Sequence, residues 1–159
     1  MIFITVGSQK FQFDRLLKKT DELVEKRIFQ EEIFAQTGTS KYVPVYYDSK
    51  TFLNKKEFEN AVSLCSIVIT HGGTGSIISA VKNGKKVIGV ARLKRHAEAV
   101  DDHQVQLLEQ FSDMGIIEYC RDLEQLGESY LHALKAKYKP YVSNTEKIIC
   151  SINEYIETL

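Results

Sequence analysis

Short apolar runs alternate along this chain with longer stretches in which apolar residues return every three or four positions. Residues 2–6 (Ile-Phe-Ile-Thr-Val) form a run long enough for a strand and too short for a helix, ended by Gly7-Ser8. From Phe13 onward, Leu16, Leu17, Thr20, Leu23 and Val24 follow a helical period with charged residues between them, which predicts an amphipathic helix with one face to a core. Residues 32–37 read as a second strand closed by Gly38. Residues 43–47 read as a third, entered through Pro44 as suits an edge strand or a strand start. A helix over 52–64, a strand over 66–70 and a helix over 75–83 come next, the last stopped by Gly84 at a C′ position. Residues 86–91 (Lys-Val-Ile-Gly-Val-Ala) are almost wholly apolar, the signature of a strand covered on both faces. A helix over 100–114 closed by Gly115, a short strand over 116–119, and two helices over 123–138 and 143–156 separated by Pro140 complete the pattern.

Parallel neighbours need crossover connections, and a helix is the usual crossover. The alternation therefore predicts an α/β fold: a doubly wound parallel sheet of Rossmann-like type, with helices on both faces. Residues 1–159 read as a single domain, since no repeat, linker or low-complexity tract interrupts them. Ligands in such folds gather at the carboxyl ends of the strands, where the loops after the first and fourth strands and after residues 86–91 meet.

Composition narrows the class without naming it. Hydrophobic content of 43% with 26% charged residues fits a soluble globular domain and not a disordered one. Lys+Arg and Asp+Glu both number 21, and a net charge of zero weighs against a nucleic-acid partner. The charge is uneven, however: residues 82–97 hold six basic side chains (Lys82, Lys85, Lys86, Arg92, Lys94, Arg95) and no acid. That run reads either as a face for phosphates or an anionic membrane surface, or as a solvated loop edge. The apolar start is too short for a signal peptide, and no run approaches the roughly 18 apolar residues of a membrane span. Cys65, Cys120 and Cys150 are far apart and form no CxxC pair, so they read as reduced, mostly buried thiols of a cytoplasmic protein. No metal site is expected.

Chemistry concentrates between Ser66 and Ser76. The strand-forming Ile67-Val68-Ile69-Thr70 runs straight into His71-Gly72-Gly73-Thr74-Gly75-Ser76, and helix-compatible sequence follows. A strand, tight loop and helix N-terminus of this kind present unpaired amides and the positive end of a dipole to an anion. No Gly-Lys-Ser/Thr follows, and the glycines are not spaced as in a dinucleotide fingerprint, so neither of those phosphate loops is present. A tight structural turn is the plainer alternative for two of the glycines. His71 is either a ligand contact or a histidine that fixes the loop through backbone bonds. Asp101, Asp102, His103 and Gln104 stand where the last long loop meets a helix. Alone they would be an N-cap and exposed first-turn residues; at the same sheet edge as a phosphate loop, they become candidates for sugar or ribose hydroxyls.

Taken in order, Val6-Gly7-Ser8 with Phe13-Asp14-Arg15-Leu16, then Ile69 through Ser76, then Asp102-His103-Gln104 resemble glycosyltransferase family 28 over about Met1 to Gly115. More narrowly, they are similar to its small single-domain members: the catalytic subunits of two-part dolichol-linked N-acetylglucosaminyltransferases and bacterial relatives from capsule and exopolysaccharide clusters. The resemblance implies the C-terminal, donor-binding half of a two-domain GT-B enzyme. It implies UDP diphosphate contacts from Gly7, Ser8, His71, Gly72, Gly73, Thr74, Gly75 and Ser76. Donor-sugar contacts would come from Asp102, His103 and Gln104. Larger members carry a glutamate for the ribose hydroxyls on the helix after the glycine loop. Ser79 stands at that place here, a weaker ribose partner than a carboxylate.

The resemblance also implies an activity: an inverting, UDP-sugar-dependent glycosyltransferase subunit extending a lipid-diphosphate-linked saccharide in capsule or exopolysaccharide assembly. The donor would be UDP-galactose, or next UDP-N-acetylglucosamine or UDP-glucose, transferred in β linkage with no cofactor and no metal. Charge on the leaving UDP would be met by the glycine loop and helix N-terminus. No catalytic base is assigned, because in such enzymes it belongs to the other half. A membrane-anchored, acceptor-binding partner subunit is implied, holding the chain peripherally at the cytoplasmic face of the membrane. The amphipathic C-terminal helix, about 141–157, with Ile148, Ile149, Ile152, Tyr155 and Ile156 on one side, either docks on that partner or packs on its own core. Two alternatives stay open: a non-catalytic accessory subunit that stimulates a separate glycosyltransferase, toward which Ser79 leans, and another nucleotide-sugar enzyme such as a 2-epimerase, which would need two linked domains.

Overall fold

The structure, a computed structural model, describes residues 1–157. Residues 158 and 159, the end of the expected domain, lie outside the described residues. Six strands form one sheet: β1 (Ile2–Thr5), β2 (Ile33–Gln36), β3 (Asp48–Lys50), β4 (Ile67–Thr70), β5 (Lys86–Gly89) and β6 (Glu118–Tyr119). Their order is β3-β2-β1-β4-β5-β6 and every neighbouring pair is parallel. The helices are α1 (Asp14–Glu25), α2 (Lys55–Leu64), α3 (Thr74–Lys82), α4 (His103–Asp113), α5 (Leu126–Lys135) and α6 (Thr145–Glu157). This is the doubly wound α/β sheet that the alternation predicts.

Side-chain alternation within each strand divides the core in two. Ile2, Ile4, Val6, Ile67, Ile69, Ile88 and Val90 share one cluster with Leu16 and Leu17 of α1 and Leu126 and Ala133 of α5. Phe3, Val68 and Val87 point the other way, toward Val62 of α2, Ile77 of α3 and Leu108 of α4. A sheet covered on both faces therefore needs apolar residues at consecutive positions, which is why these strands read as unbroken runs. Each fully buried Ile, Leu or Phe contributes roughly 1.5–3 kcal/mol. The registers pair Thr5 with Gln36 and Thr70, and Thr70 with Gly89. The loops after β1, β4 and β5 consequently leave the sheet at one level, around the switch point between β1 and β4.

The third strand departs from expectation. Residues 43–47 are not a strand; β3 is the fully exposed Asp48–Lys50, and Val43 and Val45 are exposed too. Carboxylates of α1 take the amides that a ladder would have used. Asp14 Oδ1 accepts from the N–H groups of Lys41 (2.8 Å) and Tyr42 (3.2 Å). Asp21, itself buried, accepts from Val45 N–H (2.8 Å), Tyr46 N–H (3.0 Å) and the Tyr42 hydroxyl (2.7 Å). Alternation of apolar residues carries no information about this competition.

Capping moves several helix ends. α2 starts at Lys55 instead of residue 52 because Asn54 and Glu57 form a reciprocal capping box. α4 starts at His103 instead of residue 100, since residues 97–102 fold into a loop held by the Asp101 and Asp102 carboxylates. The helix expected over 123–138 is a 3-10 turn (Leu123–Gln125) followed by α5, which ends at Lys135. The basic run is dispersed in the same way. Lys85 Nζ donates to the Ser63 carbonyl (2.7 Å) near the end of α2. Lys86 Nζ donates to the Ala133 (2.8 Å) and Leu134 (2.7 Å) carbonyls near the end of α5, where cations are favoured. Arg92 is fully buried, so only Lys82, Lys94 and Arg95 of this run are exposed. Cys65 and Cys120 are buried and Cys150 is exposed. α6 has no buried residue: Ile148, Ile149, Ile152 and Ile156 stand open, so the helix does not pack on its own core.

Candidate functional site

Only His71, Gly72 and Gly73 separate β4 from α3. The turn is closed by a bond from Gly73 N–H to the His71 carbonyl at 2.6 Å, and Ile77 N–H donates to the Gly73 carbonyl at 3.2 Å. No side chain caps α3. The first-turn amides of Thr74, Gly75 and Ser76 therefore remain for solvent or a ligand, at the positive end of the helix dipole. This is the geometry of an anion site.

His71 is the hub of the turn. The residue is 6% exposed and its ring lies between two glycines. A Cβ at Gly7 would fall 2.5 Å from its Cε1, and one at Gly73 would fall 2.5 Å from its Nε2. Gly7 has the further requirement of a left-handed backbone, φ +76°. Nδ1 lies 3.5 Å from the Thr5 carbonyl oxygen and 3.4 Å from Thr70 Oγ1. A carbonyl only accepts, so this network puts the proton on Nδ1 and leaves Nε2 with a lone pair. Burial, and then the charge of Arg92, hold the imidazole down at about 4. His71 is thus neutral at physiological pH, and it fixes the turn through the Thr5 backbone.

Gly72 serves α4. A Cβ there would lie 2.7 Å from Gln104 Cβ, so only glycine lets the helix approach this closely. Gln104 Oε1 accepts from the Arg92 N–H at 3.1 Å, which leaves its NH2 group free to donate elsewhere.

A cleft of about 700 Å³ opens between these elements. His71, Gly72, Gly73 and Thr74 form one wall; Asp101, His103, Gln104 and Leu107 form another; Gln9, Lys10 and Phe11 of the loop after β1 close the third. Among the expected contacts, Gly7 lies behind this wall, against the His71 ring. Ser8, Gly75, Ser76, Ser79 and Asp102 are not on the walls. Asp102 Oδ1 accepts instead from Lys94 N–H (2.9 Å), and Asp101 Oδ1 from His103 N–H (3.0 Å), so both acids fasten the loop. A second cleft, of about 620 Å³, lies between α1 and the segment after β6. Its Lys19 is engaged by Glu22 (3.1 Å) and Glu124 (2.5 Å), which cancels its attraction for an anion.

Gln9, Lys10 and Phe11 carry no signal in the sequence, and Arg92 was expected in a basic run that faces either phosphates or a membrane surface, or else solvent at a loop edge. Arg92 Nη2 donates to the Phe11 carbonyl at 3.0 Å and also to the Val6 carbonyl, clamping both ends of the loop after β1. Its guanidinium carbon lies 5.7 Å from the Phe13 ring centroid. Nearby, the buried Glu98 accepts from Arg15 Nε at 2.7 and 2.9 Å and from Leu93 N–H at 3.1 Å. The only advance signal for this group was the isolated Arg-Leu-Lys-Arg sequence after an apolar strand. Among the described residues, no three His, Cys, Asp or Glu side chains gather to hold a metal ion.

The model of the glycosyltransferase family 28 C-terminal domain matches residues 1–158. The chain belongs to that family. Among curated proteins, this family 28 domain is 23% identical over 126 residues to a human protein named UDP-N-acetylglucosamine transferase subunit ALG13, covering 75% of this chain and 11% of that protein. The mouse protein of the same name is 23% identical over 125 residues, covering 74% of this chain and 10% of the relative. The chain thus spans about a tenth of the length of the curated relatives it matches. Among solved structures, the solution structure of ALG13 superposes with a TM-score of 0.63 at 17% identity, covering 95% of this chain and 93% of that one. MurG of Acinetobacter baumannii superposes with a TM-score of 0.56 at 16% identity, covering 83% of this chain and 41% of MurG. The glycosyltransferase SnogD from Streptomyces nogalater gives 0.60 at 16% identity, covering 84% and 34%. These likenesses establish the Rossmann-like fold of GT-B glycosyltransferases.

Proposed function

We propose that this domain binds a UDP-sugar in the cleft between the loop after β1, residues 71–73 and α4, and serves as the donor-binding subunit of an inverting glycosyltransferase. One observation carries the reading: the uncapped first turn of α3 meets Gln104 and the loop after β1 at the switch point of the sheet. Membership of family 28 and the names of the relatives support it.

In this mechanism the acceptor hydroxyl attacks the anomeric carbon from the face opposite UDP. The new C–O bond forms as the bond to the β-phosphate oxygen breaks, and the configuration inverts. The acceptor proton passes to a base supplied by the acceptor-binding half. Negative charge grows on the leaving UDP beside the start of α3, where the Thr74 amide on the cleft wall and the positive end of the helix dipole carry the role a cation takes elsewhere. The free NH2 of Gln104 and the His103 imidazole face the donor sugar. UDP-galactose is the first candidate donor, followed by UDP-N-acetylglucosamine and UDP-glucose.

The acceptor is a lipid-diphosphate-linked saccharide of capsule or exopolysaccharide assembly, presented by a membrane-anchored partner subunit. No described helix is long and apolar enough to cross a membrane, and the exposed apolar side of α6 is assigned to that partner. Calorimetry with UDP and the three UDP-sugars tests the donor site: binding in the micromolar to millimolar range is expected. Absence of binding by all of them at several millimolar, with the partner present, would overturn the reading.

A further inference from the structure

Among the described residues, Arg92 is a buried cation whose charge is incompletely met. Arg92 is 0% exposed. Two of its nitrogens, Nε and Nη1, are buried with no hydrogen-bond partner, while Nη2 holds the carbonyls of Val6 and Phe11. Carbonyls offer partial charge only. The nearby carboxylate, Glu98, takes the Arg15 Nε–H on both of its oxygens, so it is bonded to Arg15 and attracts Arg92 only without a hydrogen bond. His71, next to it, is neutral. Burial pulls the Arg92 guanidinium down to about 10, still charged at neutral pH.

Leaving two buried donors without partners works against stability. A buried aliphatic side chain would avoid that loss. The position of the group accounts for it better than stability does. Arg92 ties down the two ends of the loop whose middle, Gln9 and Lys10, forms a wall of the cleft, and its own N–H sets Gln104 on another wall.

We propose that Arg92 is the positioning residue for the donor diphosphate: it holds the loop after β1 against the cleft and places an incompletely balanced positive charge beneath the site. The proposal rests on the donor reading above. It explains why a buried arginine stands where a structural clamp needs only a neutral donor. The charge acts on the diphosphate and not on the base or ribose, so its loss discriminates among ligands.

The test compares UDP, UMP and uridine binding by calorimetry or ligand-observed NMR, for wild type, Arg92→Met and Arg92→Lys. Arg92→Met is expected to weaken UDP by about tenfold, the lower end of a charge-assisted contact, with a smaller loss for UMP and none for uridine. Arg92→Lys keeps the charge and loses the fork, so it should retain UDP affinity within about threefold while melting lower. Equal losses for all three ligands, or an unchanged UDP affinity in folded Arg92→Met, would overturn the proposal. In the wild type, hydrogen exchange at Arg92 Nε–H should slow with UDP and with inorganic pyrophosphate and not with uridine. That measurement stands even if Arg92→Met fails to fold, and an exchange rate indifferent to pyrophosphate would sink the idea. If wild type binds none of the nucleotides, the donor reading itself falls and this proposal with it; binding by wild type without the Arg92 effect removes the proposal alone.

Discussion

Gly73→Ala probes the turn on which the candidate site is built. Gly73 sits at φ −77°, ψ 110°, a conformation open to any residue, so backbone strain adds nothing to the cost. The new methyl would lie 2.5 Å from Nε2 and 2.8 Å from Cε1 of His71, closer than real side chains approach. The ring is buried and backed by Gly7, so it has nowhere to swing. Overpacking of this kind destabilises by roughly 1–3 kcal/mol. For a domain of this size that corresponds to a drop in Tm of roughly 3–10 °C. Gly75 is the internal control: nothing lies within 4 Å of a Cβ there, and it is helical. Gly75→Ala should therefore be neutral or stabilising, by up to about 1 kcal/mol. Urea denaturation of wild type, Gly73→Ala, His71→Ala and the double variant closes a thermodynamic cycle. With the ring removed, Gly73→Ala should lose nearly all of its effect. If the two substitutions instead add within about 0.5 kcal/mol, the steric account of the turn is wrong.

Three further outcomes are expected. His71 is held at about 4 in the fold against an ordinary value of 6.5. The unfolded chain therefore takes up the proton first, and this contribution to stability is complete above about pH 6.5 and lost as the pH falls toward 4. It amounts to something on the order of 3 kcal/mol across that window. His71→Gln should flatten that part of the pH profile, and a His71 ring whose NMR shifts titrate near pH 6.5 would contradict it. Asp21→Ala removes the acceptor for Val45 N–H, Tyr46 N–H and the Tyr42 hydroxyl. A loss of about 2–3 kcal/mol in urea denaturation and faster amide exchange at Val45 and Tyr46 are expected; unchanged exchange would show that the carboxylate does not order this loop. Ile152→Glu lies on the open face of α6, so stability should change by less than about 0.5 kcal/mol. Sugar transfer with the co-expressed partner should fall at least several-fold, and full activity would release α6 from its docking role.

What could be read from the chain alone was whatever depends on neighbours in sequence. β1, β4 and β5 are buried on both faces, and two-sided burial leaves a run of apolar residues that needs no partner to be recognised. The residues 71–76 and the helix that follows were legible because glycines, a strand and a helix start must be contiguous to make such a turn. The family was legible for the same reason, as several local motifs in a given order. Tertiary structure decided the rest. Residues 43–47 have the pattern of a strand, yet Asp21 of α1, more than twenty positions away, takes the amides of Val45 and Tyr46. The glycines of the turn are required by a histidine ring and a glutamine of α4 that they meet only after folding. Arg92 was one basic residue among six in its stretch, and its burial depends on carbonyls more than 80 residues distant. Local propensity is carried by bonds between near neighbours, so a sequence displays it directly. Competition for a hydrogen-bond acceptor, or for a place in the interior, is settled between groups that only the parallel sheet brings together.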